Sequence, residues 1–141
     1  MAEARGPAFD WPVRVYWEDT DAGGIVFYAN YLKFFERART EWLRHLGVEQ
    51  EALRQSAAGL FVVSQTDVRY LKPARLDDLM RVSAGLIKAG RSSLVIAQQA
   101  RLEPCRSLLA EATIRIGWVD AVTFKPGRIP PHVLRPLSSP T

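Results

Sequence analysis

Residues 30–46 constrain this chain more than any other stretch. Tyr31, Phe34, Phe35, Ala38, Trp42 and Leu46 recur at spacings of three and four, while Lys33, Arg37, Thr40 and Arg44 fall between them. At 3.6 residues per turn this pattern gathers the large apolar groups on one side of a helix and the charges on the other. Gly47 follows where a helix stop is expected. Most of a short helix's stability comes from packing its apolar face, so this one needs a broad partner surface, and a sheet is the natural candidate.

The rest of the chain supplies strands for that sheet. Residues 11–17 alternate Val13, Val15 and Trp17 with Arg14 and Tyr16. After a second short helix expected over residues 50–57, the pattern changes to runs rich in β-branched and aromatic residues at 61–71, 79–88, 94–102 and about 108–119. The second and third of these runs are joined by a hairpin-like Ala89-Gly90-Arg91-Ser92-Ser93. Consecutive strands on short turns, preceded by one long helix, predict an α+β fold with an antiparallel sheet and the helix laid across it. The tail from Phe124, carrying Pro126, Pro130, Pro131, Pro136 and Pro140, is expected to hold no extended regular structure. There is no internal repeat and no linker, and 141 residues fit one domain.

Composition narrows the function classes. The formal charge of +4 comes from arginines spread along the chain rather than from a basic block, so it gives no nucleic-acid signature and reads first as solvated surface. No stretch reads as a signal peptide or a membrane span, and the chain is expected to be cytoplasmic. Cys105 is the single cysteine, in the turn-like Glu103-Pro104-Cys105-Arg106, and is expected to be a bystander. The two histidines, His45 and His132, are remote from each other in sequence. No serine elbow, phosphate-binding glycine loop or dinucleotide fingerprint is present.

What remains is carboxylate chemistry in residues 18–31, Glu-Asp-Thr-Asp-Ala-Gly-Gly-Ile-Val-Phe-Tyr-Ala-Asn-Tyr, which lead from the first strand into the long helix. Acids gathered before a helix start meet unpaired N–H groups and the positive end of the dipole. Gly23 and Gly24 allow close approach of a ligand to the backbone. An ordinary N-cap and an ordinary glycine turn account for the same residues. A carboxylate placed there can serve as base or nucleophile toward an activated acyl carbon while helix N–H groups hold the carbonyl oxygen. A Mg²⁺ site on Glu18, Asp19 and Asp21 is a weaker alternative.

Residues 11–31, together with Phe35-Glu36-Arg37-Ala38-Arg39-Thr40-Glu41, residues 68–78 and the hairpin Gly90-Arg91-Ser92-Ser93-Leu94, closely resemble the hotdog-fold acyl-CoA thioesterases of the 4-hydroxybenzoyl-CoA thioesterase family. Within it the pattern is most similar to the Tol-Pal-associated branch. The resemblance implies a hotdog fold, a long central helix wrapped by an antiparallel sheet, over residues 11–130, with an N-terminal extension at 1–10 and a C-terminal tail at 131–141. It places the catalytic carboxylate on Asp21 and the carbonyl-polarising N–H on the backbone of Tyr28. Tyr28 stands where many Tol-Pal-associated relatives have histidine. Gly24, Asn30, Tyr31, Arg91, Ser92 and Ser93 fall on substrate-binding positions, with Arg91 suited to coenzyme A phosphate and Asn30 to orienting the loop. Asp19 is expected to be structural or to support the site from behind the residues that touch substrate. The resemblance further implies an acyl-CoA substrate, no separate cofactor and no metal, and a homotetramer or, next, a homodimer with its active site between subunits. A hotdog module that binds acyl carrier protein or a membrane-biogenesis partner with little catalysis is the rival reading. A hotdog dehydratase would need a histidine paired with an acid, and neither His45 nor His132 lies in such a motif.

Overall fold

The computed structural model describes residues 9–56 and 58–138; most of the expected N-terminal extension and Ala57, the last residue of the expected second helix, lie outside them. The elements in chain order are β1 (Asp10–Arg14), α1 (Asn30–His45), α2 (Gln50–Ser56), β2 (Gly59–Tyr70), β3 (Leu79–Ser83), β4 (Gly85–Ala89), β5 (Ser93–Leu102), β6 (Leu108–Asp120) and α3 (Pro131–Ser138). All strand pairings are antiparallel, in the order β1-β3-β5-β6-β2, with β4 continuing the β3 path alongside β5. This is the expected α+β architecture, with α1 against the sheet.

The helix is buried as its spacing predicts. Phe34, Phe35 and Ala38 have no exposed surface, and Trp42 and Leu43 almost none. They share one core with Val82, Leu94, Ile96 and Ala100 of the sheet. Each fully buried phenylalanine contributes roughly 1.5–3 kcal/mol of transfer free energy. Gly47 closes the helix at φ +86°, and the Val48 N–H reaches back to the Leu43 carbonyl at 2.8 Å.

Three expectations are corrected. The first strand ends at Arg14 rather than residue 17, because Trp17–Asp19 turn into a short 3-10 helix; Trp17 is 80% exposed and does not share the buried face of Val13 and Val15. The strand expected over 79–88 is two strands. Ala84 leaves the ladder and donates its N–H to the Phe9 carbonyl at 3.1 Å, while the Gln98 amide, from β5, donates to the Ser83 carbonyl at 3.2 Å. Gln98 is fully buried, and its Nε2 also reaches the Phe35 carbonyl of α1 at 2.8 Å. One side chain thus joins helix, strand break and central strand. The third correction is the tail, which contains α3. Pro131 occupies the first helical position, where a missing N–H costs nothing, and Val133 and Leu137, four residues apart, are both buried.

The ends of the sheet are unlike each other. β2 pairs only with β6, and from Val63 to Asp67 its side chains are exposed on both faces. A twelve-residue strand with an open edge is an invitation to pair. At its start, Gly59 lies under Trp118, whose ring atoms would be 2.4 Å from an added Cβ.

Candidate active site

The acidic stretch folds into a small hairpin. Thr20 bridges Val26, the Asp21 N–H donates to the Ile25 carbonyl at 2.9 Å, and the Gly24 N–H donates to the Asp21 carbonyl at 3.0 Å. Gly24 sits at φ +79° with open space where a Cβ would project, so backbone conformation rather than crowding requires glycine there. The hairpin docks on residues 74–76. The Val26 N–H donates to the Ala74 carbonyl at 2.9 Å, and the Leu76 N–H to the Gly24 carbonyl at 3.3 Å.

Asp21 is exposed. Its Oδ1 accepts the Gly23 N–H at 2.8 Å, and among the described residues nothing donates to its Oδ2. One oxygen therefore fixes the carboxylate and the other is open to a ligand. On the far side of the hairpin the chain enters α1 through overlapping tight turns, with the N–H groups of Asn30, Tyr31 and Leu32 bonded to the carbonyls of Phe27, Tyr28 and Ala29. Those turns carry the helical path back to Tyr28, whose own N–H has no acceptor among the described residues. It is an open donor at the positive end of a sixteen-residue helix.

A cleft of about 240 Å³ lies beside this donor, lined by Ile25, Val26, Tyr28, Tyr31 and residues 70–73. The ring of Tyr70 stands edge-on to Tyr28 and Tyr31, with centroids 6.0 and 5.6 Å apart. Residues 70–73 lie inside the sequence resemblance, and an aromatic and a leucine at a strand end before Pro73 are the signal that marks them. Tyr31 is 3% exposed, and its hydroxyl accepts the Ala74 N–H at 3.1 Å, so it anchors the hairpin's dock as well as lining the cleft. Asn30 donates through Nδ2 to the Asp19 carbonyl at 2.8 Å and so ties the helix entry to the acidic loop.

Burial raises the Tyr31 phenol above its ordinary pKa of 10.0, and the Ala74 hydrogen bond offsets this only in part. A raised phenol pKa means the folded state prefers the neutral form. Its contribution to stability is complete below pH 10 and is lost as pH rises through the folded value. Tyr31→Phe, which orphans the Ala74 N–H, is expected to cost about 1–2 kcal/mol at pH 7. That deficit should narrow above pH 10, where only the wild type loses the phenol's contribution; urea midpoints at the two pH values check this.

Arg91, Ser92 and Ser93 lie elsewhere. Their turn is held by the Trp118 N–H on the Ser92 carbonyl and the Ile129 N–H on the Arg91 carbonyl, at 2.9 and 2.8 Å. Ser93 opens β5, whereas the Asp21 hairpin and residues 74–78 cluster at the other end of the sheet, where Glu103 follows β5 and donates to the Leu79 carbonyl. A ten-residue strand separates them by about 30 Å. One subunit does not bring these residues to Asp21. His45 is also distant, tilted against Phe9 with ring centroids 5.4 Å apart and about 22 Å along α1 from Asn30. Among the described residues no group of three or more His, Cys, Asp or Glu side chains is placed to hold a metal, and no helix is long and apolar enough to cross a membrane.

A long helix against a six-stranded antiparallel sheet, with the strand-to-helix loop presenting a carboxylate and open N–H groups, defines the hotdog class of fold. The chain belongs to the Thioesterase-like superfamily, whose family model matches residues 15–137. It is 43% identical over 126 residues to the acyl-CoA thioester hydrolase YbgC of Escherichia coli O6:H1, a match covering 89% of this chain and 92% of that protein. It is 42% identical over 125 residues to the acyl-CoA thioesterase YbgC of Haemophilus influenzae, covering 89% and 90%. Among solved structures, a probable thioesterase from Bartonella henselae superposes with a TM-score of 0.82 at 30% identity, covering 88% of this chain and all of that one.

Proposed function

We propose that this protein hydrolyses the thioester bond of an acyl-CoA, releasing a carboxylic acid and free coenzyme A, with Asp21 as the reacting carboxylate and the Tyr28 N–H as the donor to the thioester oxygen. The observation that carries the reading is the pairing of a half-free, exposed carboxylate with an unpaired helix N-terminal N–H on the same loop. The family and the named relatives support the reaction class. As the carbonyl carbon is attacked, negative charge grows on its oxygen, where a fixed N–H and the helix dipole stabilise it without reorganising. The attacking group is either water that has given its proton to Asp21 or the Asp21 oxygen itself, which yields a mixed anhydride that water then opens. Either way the C–S bond breaks, and the coenzyme A thiolate leaves and takes up a proton. Free-thiol release from a panel of short, long and aromatic acyl-CoA thioesters tests the activity and identifies the acyl class. Absence of turnover on every member by folded protein overturns it.

The working unit in this proposal is a homodimer paired through β2, two of which form the homotetramer. The turn bearing Arg91 adjoins Trp118, opposite Phe61 near the start of β2, while the Asp21 hairpin lies beyond Tyr70, at its end. Antiparallel pairing of two β2 edges exchanges those ends, so the partner's turn arrives beside this subunit's cleft and offers guanidinium to the coenzyme A phosphates. Mixing and refolding inactive Asp21→Asn with Arg91→Ala subunits should then restore about a quarter of the wild-type sites, since half the dimers are mixed and each holds one intact site. No recovery would place both residues in one subunit's site.

A further inference from the structure

Asp19 is a second acid of the loop and differs from Asp21 in every respect of its surroundings. It is 2% exposed, and its Oδ2 accepts the Tyr16 N–H at 2.9 Å. Its main-chain carbonyl accepts twice, from the Phe27 N–H at 3.0 Å and from Asn30 Nδ2 at 2.8 Å. Residue 19 therefore ties the end of the β1 segment to the entry of α1 and closes the base of the hairpin that carries Asp21. Its remaining oxygen, Oδ1, is the only buried side-chain nitrogen or oxygen among the described residues that lacks a hydrogen bond. The nearest cation is Lys33 Nζ, 3.6 Å away on the first turn of α1.

A buried carboxylate oxygen without a hydrogen bond is costly, and a neutral residue of similar size would lessen that cost. What a neutral residue lacks is attraction to Lys33. Lys33 is 45% exposed, so the pair adds little to global stability. Its leverage is local. It draws the loop base against the first turn of α1, and the peptide of Tyr28 lies between Phe27 and Asn30, the two residues that bond to the Asp19 carbonyl.

We infer that Asp19 and Lys33 form a positioning pair that sets the Tyr28 N–H relative to the Asp21 carboxylate, so that their charges govern the chemical step rather than substrate binding. The inference rests on the thioesterase reading above. Asp19→Asn preserves shape and can still accept from Tyr16, but it loses the charge and can turn an N–H toward Lys33. Lys33→Met removes the cation and retains the stem. Each single variant is expected to lower kcat at least tenfold, with KM within about threefold of wild type. The double variant should be no slower than the slower single, the non-additivity of a coupled pair. Lys33→Arg, which restores the charge, should recover most of kcat.

Thermal unfolding and Asp21→Asn accompany these assays. If Asp21→Asn is dead while folded Asp19→Asn and Lys33→Met keep kcat within twofold of wild type, the positioning pair is wrong and the thioesterase reading stands. A loss confined to KM, or additive losses, also overturns it. If Asp19→Asn fails to fold, kcat of the surface variants Lys33→Met and Lys33→Arg decides alone. Should Asp21→Asn retain turnover, the reading beneath the inference has failed instead.

Discussion

Asp21→Asn is expected to reduce acyl-CoA turnover on the order of a thousandfold, the scale associated with losing a positioned general base or nucleophile. The loop should survive the change. The asparagine oxygen can still accept the Gly23 N–H, which is the one hydrogen bond the carboxylate makes within the described chain. Hairpin docking depends on Gly24, Val26 and Leu76 rather than on the Asp21 side chain. What disappears is the open, charged oxygen. The expected signature is thus a collapse of kcat with little change in KM or in the affinity for coenzyme A, because an interaction made only in the transition state has been removed. Turnover within tenfold of wild type would show that the reacting group lies elsewhere.

Gln98→Leu is expected to lower stability by about 2–4 kcal/mol and the melting temperature by roughly 10 °C. Gln98 is a polar side chain in an apolar core, and every polar end of it is used. Its oxygen accepts from Arg39 Nη1 at 3.0 Å, and its nitrogen donates to the carbonyls of Phe35 and Ser83. Arg39 is 8% exposed, and burial pulls its guanidinium pKa below the ordinary value, with Glu36 opposing that effect. Leucine would leave this cation against methyl groups and release the Ser83 carbonyl at the strand break. The double variant Gln98→Leu with Arg39→Met should recover part of the loss, since removing both partners spares the buried charge. Urea denaturation of the two variants gives the comparison, and a single variant within 0.5 kcal/mol of wild type would contradict this account.

The helix was legible because its signal is local. Six apolar residues at helical spacing mark a buried face wherever the chain folds, and the strands announced themselves by β-branched runs between short turns. The acidic loop was legible for a similar reason, since acids and glycines before a helix start can be evaluated against the helix terminus itself. The break at Ala84 was not. It depends on Gln98, fourteen positions later, entering from the neighbouring strand. The helix in the tail was hidden by prolines whose effect depends on position, harmless at Pro131 and costing one backbone bond at Pro136.

Asp19 and Asp21 show the division most plainly. Two aspartates two residues apart in one motif carry nothing in composition or spacing to separate a buried tie from an exposed carboxylate. The sequence alone determined that carboxylates precede a long amphipathic helix, near the positive end of its dipole. Tertiary structure alone decided which carboxylate faces solvent, that residues 70–73 complete the cleft, and that Arg91 lies at the other end of the sheet. Local periodicity reports which face of an element is apolar; burial, cleft and distance depend on which elements become neighbours, and that is set by packing across the whole chain.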